Sequence, residues 1–177
     1  ATAAYPVTVD PEIGTNDFRI SAMGPDGDIT YDGRHSAVAY NATNGEYLVV
    51  WEGDDDTPGN GEGEFQTSGQ RVNATAGAAV GANDFRISDM GTNGDSGSDA
   101  VSPAVAWNAT NNEYLVVWSG DDSSGVTANG EFEIFGQRLA GATGAEVGTN
   151  DFRISDMGPD RAPPYDAHEP AVAWHAT

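Results

Sequence analysis

The sequence predicts an all-β fold made of a repeated four-stranded unit, and three observations carry that expectation. The hexapeptide Asn16-Asp17-Phe18-Arg19-Ile20-Ser21 returns at 83–88 and at 150–155, a fixed period of 67 residues (83 − 16 = 150 − 83). Self-similarity at such a period marks a repeat array, which is divided by its repeats and not by its length. Apolar residues occur in short alternating or continuous runs, and no segment has the helical period. Between the runs lie clusters of Gly, Asn, Asp and Pro, the residues that turn one strand into the next.

On this period residues 1–13 are the end of a preceding unit, 14–80 the first unit, 81–147 the second, and 148–177 a partial third. Within a unit the chain is read as follows. Residues 14–21 end in Asn-Asp-Phe-Arg-Ile-Ser, where Phe18 and Ile20 point one way and Asp17, Arg19 and Ser21 the other, so this is a half-buried strand, D. Residues 24–36 (GPDGDITYDGRHS) form a polar loop. Residues 37–40 (AVAY) recur at 104–107 and 171–174, and their alternation of alanine with larger residues suits a strand in a crowded place, A. Residues 41–45 (NATNG) tolerate positive φ and turn the chain back. Residues 46–51 (EYLVVW) are apolar on both faces, as a strand is when neighbouring sheets cover each side; this is B. A long acidic loop over 53–64 leads to strand C at 65–72, matched by 132–139 (FEIFGQRL), and a short Gly-Ala turn leads into the next D.

Four antiparallel hairpin-linked strands with a doubly covered strand B describe a blade of a β-propeller. An array of small β-sandwiches is the rival, but 67 residues with two long loops leave too little chain for seven strands. Three complete units need 3 × 67 = 201 residues against 177, so the blades are expected to be completed by further chain or by other copies. The combination PAVAWNATNNEYLVVW, a Gly-Asp-Asp loop, FEIFGQRL and NDFRISDMG resembles the repeats of large secreted bacterial β-propeller proteins. That resemblance implies an extracellular, multi-repeat, non-catalytic context, secreted or at the cell surface, and carries no active site with it.

Composition narrows the functions. With 28 acidic residues, 7 basic ones and a formal charge of −21, the surface repels nucleic acid and anionic membranes. All seven basic residues are arginine, whose planar fork suits fixed structural pairs. Cysteine is absent, which removes disulfides, thiol nucleophiles and zinc-thiolate sites. No apolar run reaches the roughly 20 residues of a membrane span, so no membrane insertion is expected.

Two acidic loops recur and are the candidate calcium sites, because calcium takes several carboxylate and carbonyl oxygens and Gly-rich loops wrap it without strain. One contributes Asp28 and Asp32, repeated as Asp95 and Asp99; the other contributes Asp54 and Asp55, repeated as Asp121 and Asp122. Their spacing is not that of the twelve-residue helix-flanked calcium loop, and a solvated acidic turn is the plainer alternative. Asp17, Arg19 and their copies, with Gln70-Arg71 and Gln137-Arg138, are expected to make ion pairs or carbonyl-binding forks between units. Trp51, Trp107, Trp118 and Trp174 are expected to pack in the core rather than stack on sugars. Asn-Ala-Thr sequons start at Asn41, Asn73 and Asn108, and His35, His168 and His175 form no metal-ligand spacing. No nucleophile is paired with a base, so no enzyme is expected. The function expected is a structural, adhesive or self-assembling module, binding itself or other cell-surface proteins; the alternative is carbohydrate binding through acidic loops and aromatic residues.

Overall fold

A computed structural model describes residues 18–25, 28, 30–54, 63–91, 94–122, 130–159 and 164–176. Its eight strands are β1 (Gly33–Asn41), β2 (Glu46–Gly53), β3 (Gln66–Asn73), β4 (Ala79–Arg86), β5 (Ala100–Asn108), β6 (Glu113–Gly120), β7 (Glu133–Ala140) and β8 (Glu146–Arg153). They form two four-stranded antiparallel sheets in sequence order, β1 to β4 and β5 to β8. Each sheet is one period of the repeat, so the 67-residue unit folds as a single meander of strands A, B, C and D.

The turns follow from their side chains. Asn41 accepts the Asn44 N–H at 3.0 Å, which folds the chain from β1 into β2, and Asn73 accepts the Thr75 and Ala76 N–H groups at 3.0 and 2.8 Å between β3 and β4. In the second sheet Asn108 accepts from Thr110 and Asn111 in the same manner. Such bonds give the backbone a local alternative to the strand ladder, which is why the strands stop there.

The core is the joint between the sheets. Residues paired directly across two strands share a face, so Ala37, Ala39, Leu48 and Val50 lie on one side of the first sheet, and Val38, Tyr40, Tyr47, Val49 and Val72 on the other. Leu48 and Val50 are fully buried together with Tyr114, Val116, Trp118 and Leu139 of the second sheet. The even-numbered face of β2 thus packs on the second sheet's counterpart of Tyr47, Val49, Trp51 and Val72. One apolar face of each strand B meets the other sheet, while the outer face of the first sheet leaves Val38 and Tyr47 59% and 40% exposed.

Four sequence expectations are corrected. Strand D occupies Ala79–Arg86 and Glu146–Arg153, earlier than its hexapeptide, and Ile87 and Ser88 lie beyond it, where both N–H groups bond to the Thr67 carbonyl. The reason is local: Asp84 and Asp151 take positive φ, 45° and 43°, which breaks the simple alternation. Strand A begins at Gly33, inside the expected loop, and carries a bulge between Arg34 and Ala37. The first hexapeptide is not in a strand over its described residues 18–21, because strand D bonds to the strand C before it, and no described strand precedes Phe18. Residues 171–174 are likewise not a strand, since strand A bonds to the strand B that follows it and no described strand follows Trp174.

Candidate functional site

The joint between units is built from a small set of bonds that recur at the repeat period. Ala100 N–H donates to the Phe65 carbonyl at 2.7 Å, and one unit on, Ala167 N–H donates to the Phe132 carbonyl at 2.8 Å. The Phe65 N–H in turn donates to Asp99 at 2.9 Å, and the Phe132 N–H to Asp166 at 3.1 Å. Ser102 N–H donates to Glu52 at 2.7 Å, and Glu169 N–H to the Ser119 hydroxyl at 3.1 Å. His35, Ser102 and Glu169 occupy the same repeat position and all have positive φ, 48°, 54° and 52°, which swings the latter two N–H groups out of their own unit towards the preceding one. On the other side, Ala22 N–H donates to Asp84 and Asp89 N–H to Asp151, at 2.7 and 2.8 Å.

The acidic residues singled out from sequence are distributed among these bonds. Asp99 belongs to the joint just described. Asp54 accepts the Gly63 N–H at 2.8 Å and Asp121 the Gly130 N–H, so each closes the mouth of its long loop. Asp28 holds the N–H and hydroxyl of Thr30, and Asp95 the Gly97 N–H, as turn-forming side chains do. Asp32 offers its carbonyl to the Asp54 N–H at 3.0 Å. Asp122 sits beside Asp121 at the start of the second long loop, and Asp55 lies outside the described residues. Among the described residues no three His, Asp or Glu side chains converge closely enough to hold a metal ion.

No protein-family model, curated protein or solved structure matches this chain. Its chemistry therefore rests on its own geometry.

The arginines make ion pairs and carbonyl-binding forks, but within one four-stranded sheet and its flanks rather than from sheet to sheet. Arg86 donates to the Ser88 carbonyl at 2.7 Å and pairs with Glu64 at 3.3 Å, while Arg153 donates to the Ser155 carbonyl and pairs with Glu133 at 2.8 Å. Arg71 and Arg138 likewise pair within their sheets, with Glu46 and Glu113. The aspartate of the hexapeptide is what reaches the preceding unit, accepting from Ala22 and Asp89. Trp51 and Trp118 are buried and unavailable to sugars, with the Trp51 indole N–H against the Met23 sulfur at 3.2 Å; Trp174 is 37% exposed, against expectation. Asn41 is completely buried and bonded to Asn112, so its sequon is closed to modification in the folded chain. His35 pairs with Glu52 at 2.8 Å.

Sequence reasoning missed the buried hubs beneath strand C. Gln66 donates to Glu64 and to the Met90 and Ser98 carbonyls, and accepts from Ser88 and the Met90 N–H. In the second unit Glu133 stands at that position and accepts from Ser155, Met157 and Arg153. The signal available was the Gln66 to Glu133 difference between otherwise similar copies, which reads as variation until the burial of both is known.

Several carboxyls are held away from their ordinary range. Burial pushes Asp121 up to about 6, aided by Asp99, Asp122 and Asp95 and opposed by the Gly130 N–H. Burial likewise takes Asp151 up to about 6, with Asp89 and Glu146 adding to it. Asp99 and Glu146 are raised for the same first reason, and Glu133, although desolvated, is lowered by Ser155, Met157 and Arg153. Unfolded aspartates stay ionised down to about pH 4, whereas folded Asp121 and Asp151 take up protons below about 6, so the folded chain binds more protons in that window. Stability is therefore expected to rise as pH falls from 7 to 5 and to turn over near pH 4, where the unfolded chain's carboxylates take up protons that folded Glu133, held below its ordinary range, does not. Calorimetric melting between pH 4 and 7.5 checks this, and Asp121→Asn should flatten the profile; a melting temperature that falls from pH 7 to 5 contradicts it.

Proposed function

We propose that this chain is a non-catalytic, extracellular module of β-propeller-type blades, secreted or at the cell surface, whose role is structural, adhesive or self-assembling. The observation that supports it best is the recurrence of one joint: the bonds linking the first sheet to the second reappear between the second sheet and residues 164–176. A unit that meets its neighbour through the same bonds on each side is suited to serial stacking, and the core lies in that stacking. Calcium enters the proposal on electrostatic grounds. Asp121 keeps one buried carboxylate oxygen without a hydrogen-bond partner, in the field of Asp95, Asp99 and Asp122, and a cation there relieves both the desolvation and the mutual repulsion.

The test is solution mass and thermal unfolding with calcium and then with a chelator. A concentration-dependent oligomer, with a melting temperature several degrees higher in calcium at pH 7 than in chelator, is expected. A monomer in both conditions would remove the self-assembling role, and unchanged melting would remove the calcium.

One observation favours the carbohydrate-binding alternative. Tyr40 and Tyr47 are 48% and 40% exposed, with ring centroids 5.1 Å apart, and present an aromatic surface that the buried tryptophans do not. Glycan-array binding that Tyr40→Ala abolishes supports this reading; an array without binding sinks it.

A further inference from the structure

The two outer faces of the pair of sheets are the two halves of the joint that already exists between them. On the first sheet Val38 is 59% exposed and Tyr47 40%, and with Phe18, Ile20, Val49 and Val72 they line an apolar groove. The counterpart of Tyr47 one period on, Tyr114, is buried, at 1%, because the first sheet covers it. On the second sheet Ile154 and Met157 are 52% and 49% exposed, whereas Ile87 and Met90, their counterparts one period earlier, are each 1% exposed beneath the second sheet. Each face therefore lacks a neighbouring sheet. On the first sheet Ile20 and Met23, one period before Ile87 and Met90, hold the place that Ile154 and Met157 of a neighbour would take, so a docking copy has to displace residues 18–25 there.

From this we infer that a second copy of the chain docks its first sheet onto the second sheet of its neighbour, head to tail, with Val38, Tyr47 and Val49 covering Leu115, Ile154 and Met157. The inference rests on the self-assembling role proposed above and specifies its surface. The contact is heterologous, so it propagates until a ring closes or a filament grows. Charge does not favour association at −21, so apolar burial has to drive it, and salt or calcium strengthens it by screening.

Two details of the joint set its strength. Residues 167–174 hold the place on the second sheet that an incoming β1 would take, since Ala167 and Glu169 make the bonds that Ala100 and Ser102 make one unit earlier. The incoming strand has to displace them, and deletion of residues 164–177 should tighten association. The joint inside the chain also carries an asparagine ladder, in which Asn41 donates to Asn112 and Asn112 to Asn44, at 2.9 and 3.0 Å. The incoming copy has Gly45 where Asn112 stands, so the joint between copies lacks the ladder. A Cβ at Gly45 meets nothing within 4 Å and its φ of 66° is close to the 51° that Asn112 adopts, so Gly45→Asn combined with Ala74→Gly restores the second unit's pair of residues and should tighten association as well.

Sedimentation of the full chain tests the geometry. Val38→Asp with Tyr47→Asp removes the head, and Ile154→Asp with Met157→Asp the tail; the substituted residues are exposed, so circular dichroism should stay that of the parent. Each double variant alone is expected to be monomeric where the parent assembles, its association weakened at least about tenfold. Mixed, the two should form a discrete complex of two chains, because one intact head meets one intact tail. A parent that never assembles overturns the self-assembling role itself. A parent that assembles while both variants still do so leaves that role standing and overturns this geometry in favour of pairing along strand edges.

Discussion

Replacing Glu64 by alanine should lower the melting temperature by about 5 °C. Glu64 is fully buried, yet it accepts from Gln66, from the Gly94 N–H and from Arg86. Truncation leaves the loop N–H of Gly94 without its acceptor and takes one partner each from Arg86, which keeps Asp89 and the Ser88 carbonyl, and from Gln66, which keeps the Met90 and Ser98 carbonyls. Because Arg86 keeps other partners, the loss comes from the unsatisfied loop N–H and the weakened pair, about 1–3 kcal/mol. At this chain length each kcal/mol is about 2–4 °C. Glu64→Gln keeps the shape and one acceptor oxygen, and should cost about half as much. The second unit supplies an internal control. There Arg153 pairs with Glu133 at 2.8 Å and keeps that buried partner when Glu131 is truncated, so Glu131→Ala should cost less than Glu64→Ala despite identical burial. Chemical denaturation of the three variants decides it, and equal losses at 64 and 131 would mean that the arginine pairing is not what makes Glu64 costly to remove.

That contrast also explains what could be read from the sequence and what could not. The meander of four strands was legible because turn residues and apolar runs repeat three times at one spacing, and Leu48 and Val49 on opposite faces of one strand announce a sheet with two neighbours. The roles of Asp84 and Asp99 were not legible. Both sit in patterns that suggest a binding site, and both bond to backbone N–H groups of an adjacent unit, 62 and 34 residues away in sequence. Period-2 logic assumes a regular strand, and it failed where positive φ at Asp84 and Ser102 re-aims a polar group across the joint. The arginines failed in the opposite sense: Arg86 and Arg153 recur in every unit as a joint residue would, but their partners are in the sheet they belong to. Repetition identifies what each unit needs and does not say whether the need is internal or shared.

The sharpest trace of a shared need is a compensated pair of differences between the two units, and it yields the second large expected effect. The first unit has Gly45 and Ala74; the second has Asn112 and Gly141. The bond between the two positions is the same in both, Ala74 N–H to the Gly45 carbonyl at 2.9 Å and Gly141 N–H to the Asn112 carbonyl at 2.8 Å. A methyl group on Gly141 would lie 2.6 Å from the Asn112 carbonyl oxygen and 2.8 Å from the Asn41 amide nitrogen. Gly141→Ala should therefore cost about 2–3 kcal/mol by overpacking the ladder that ties the sheets together. Asn112→Gly should cost about 1–3 kcal/mol on its own, since it strands the buried Asn41 amide and the Trp107 indole N–H, which both donate to Asn112. The double variant recreates the arrangement of the first unit, where an alanine makes the same backbone bond without an asparagine above it. Its loss should fall short of the sum of the single losses by at least about 1 kcal/mol, a coupling measurable in a double-mutant cycle by urea unfolding. Strict additivity would mean that the two positions vary independently. A coupling of the expected sign makes the asparagine ladder a device acquired by one unit, with Gly141 as the space it requires.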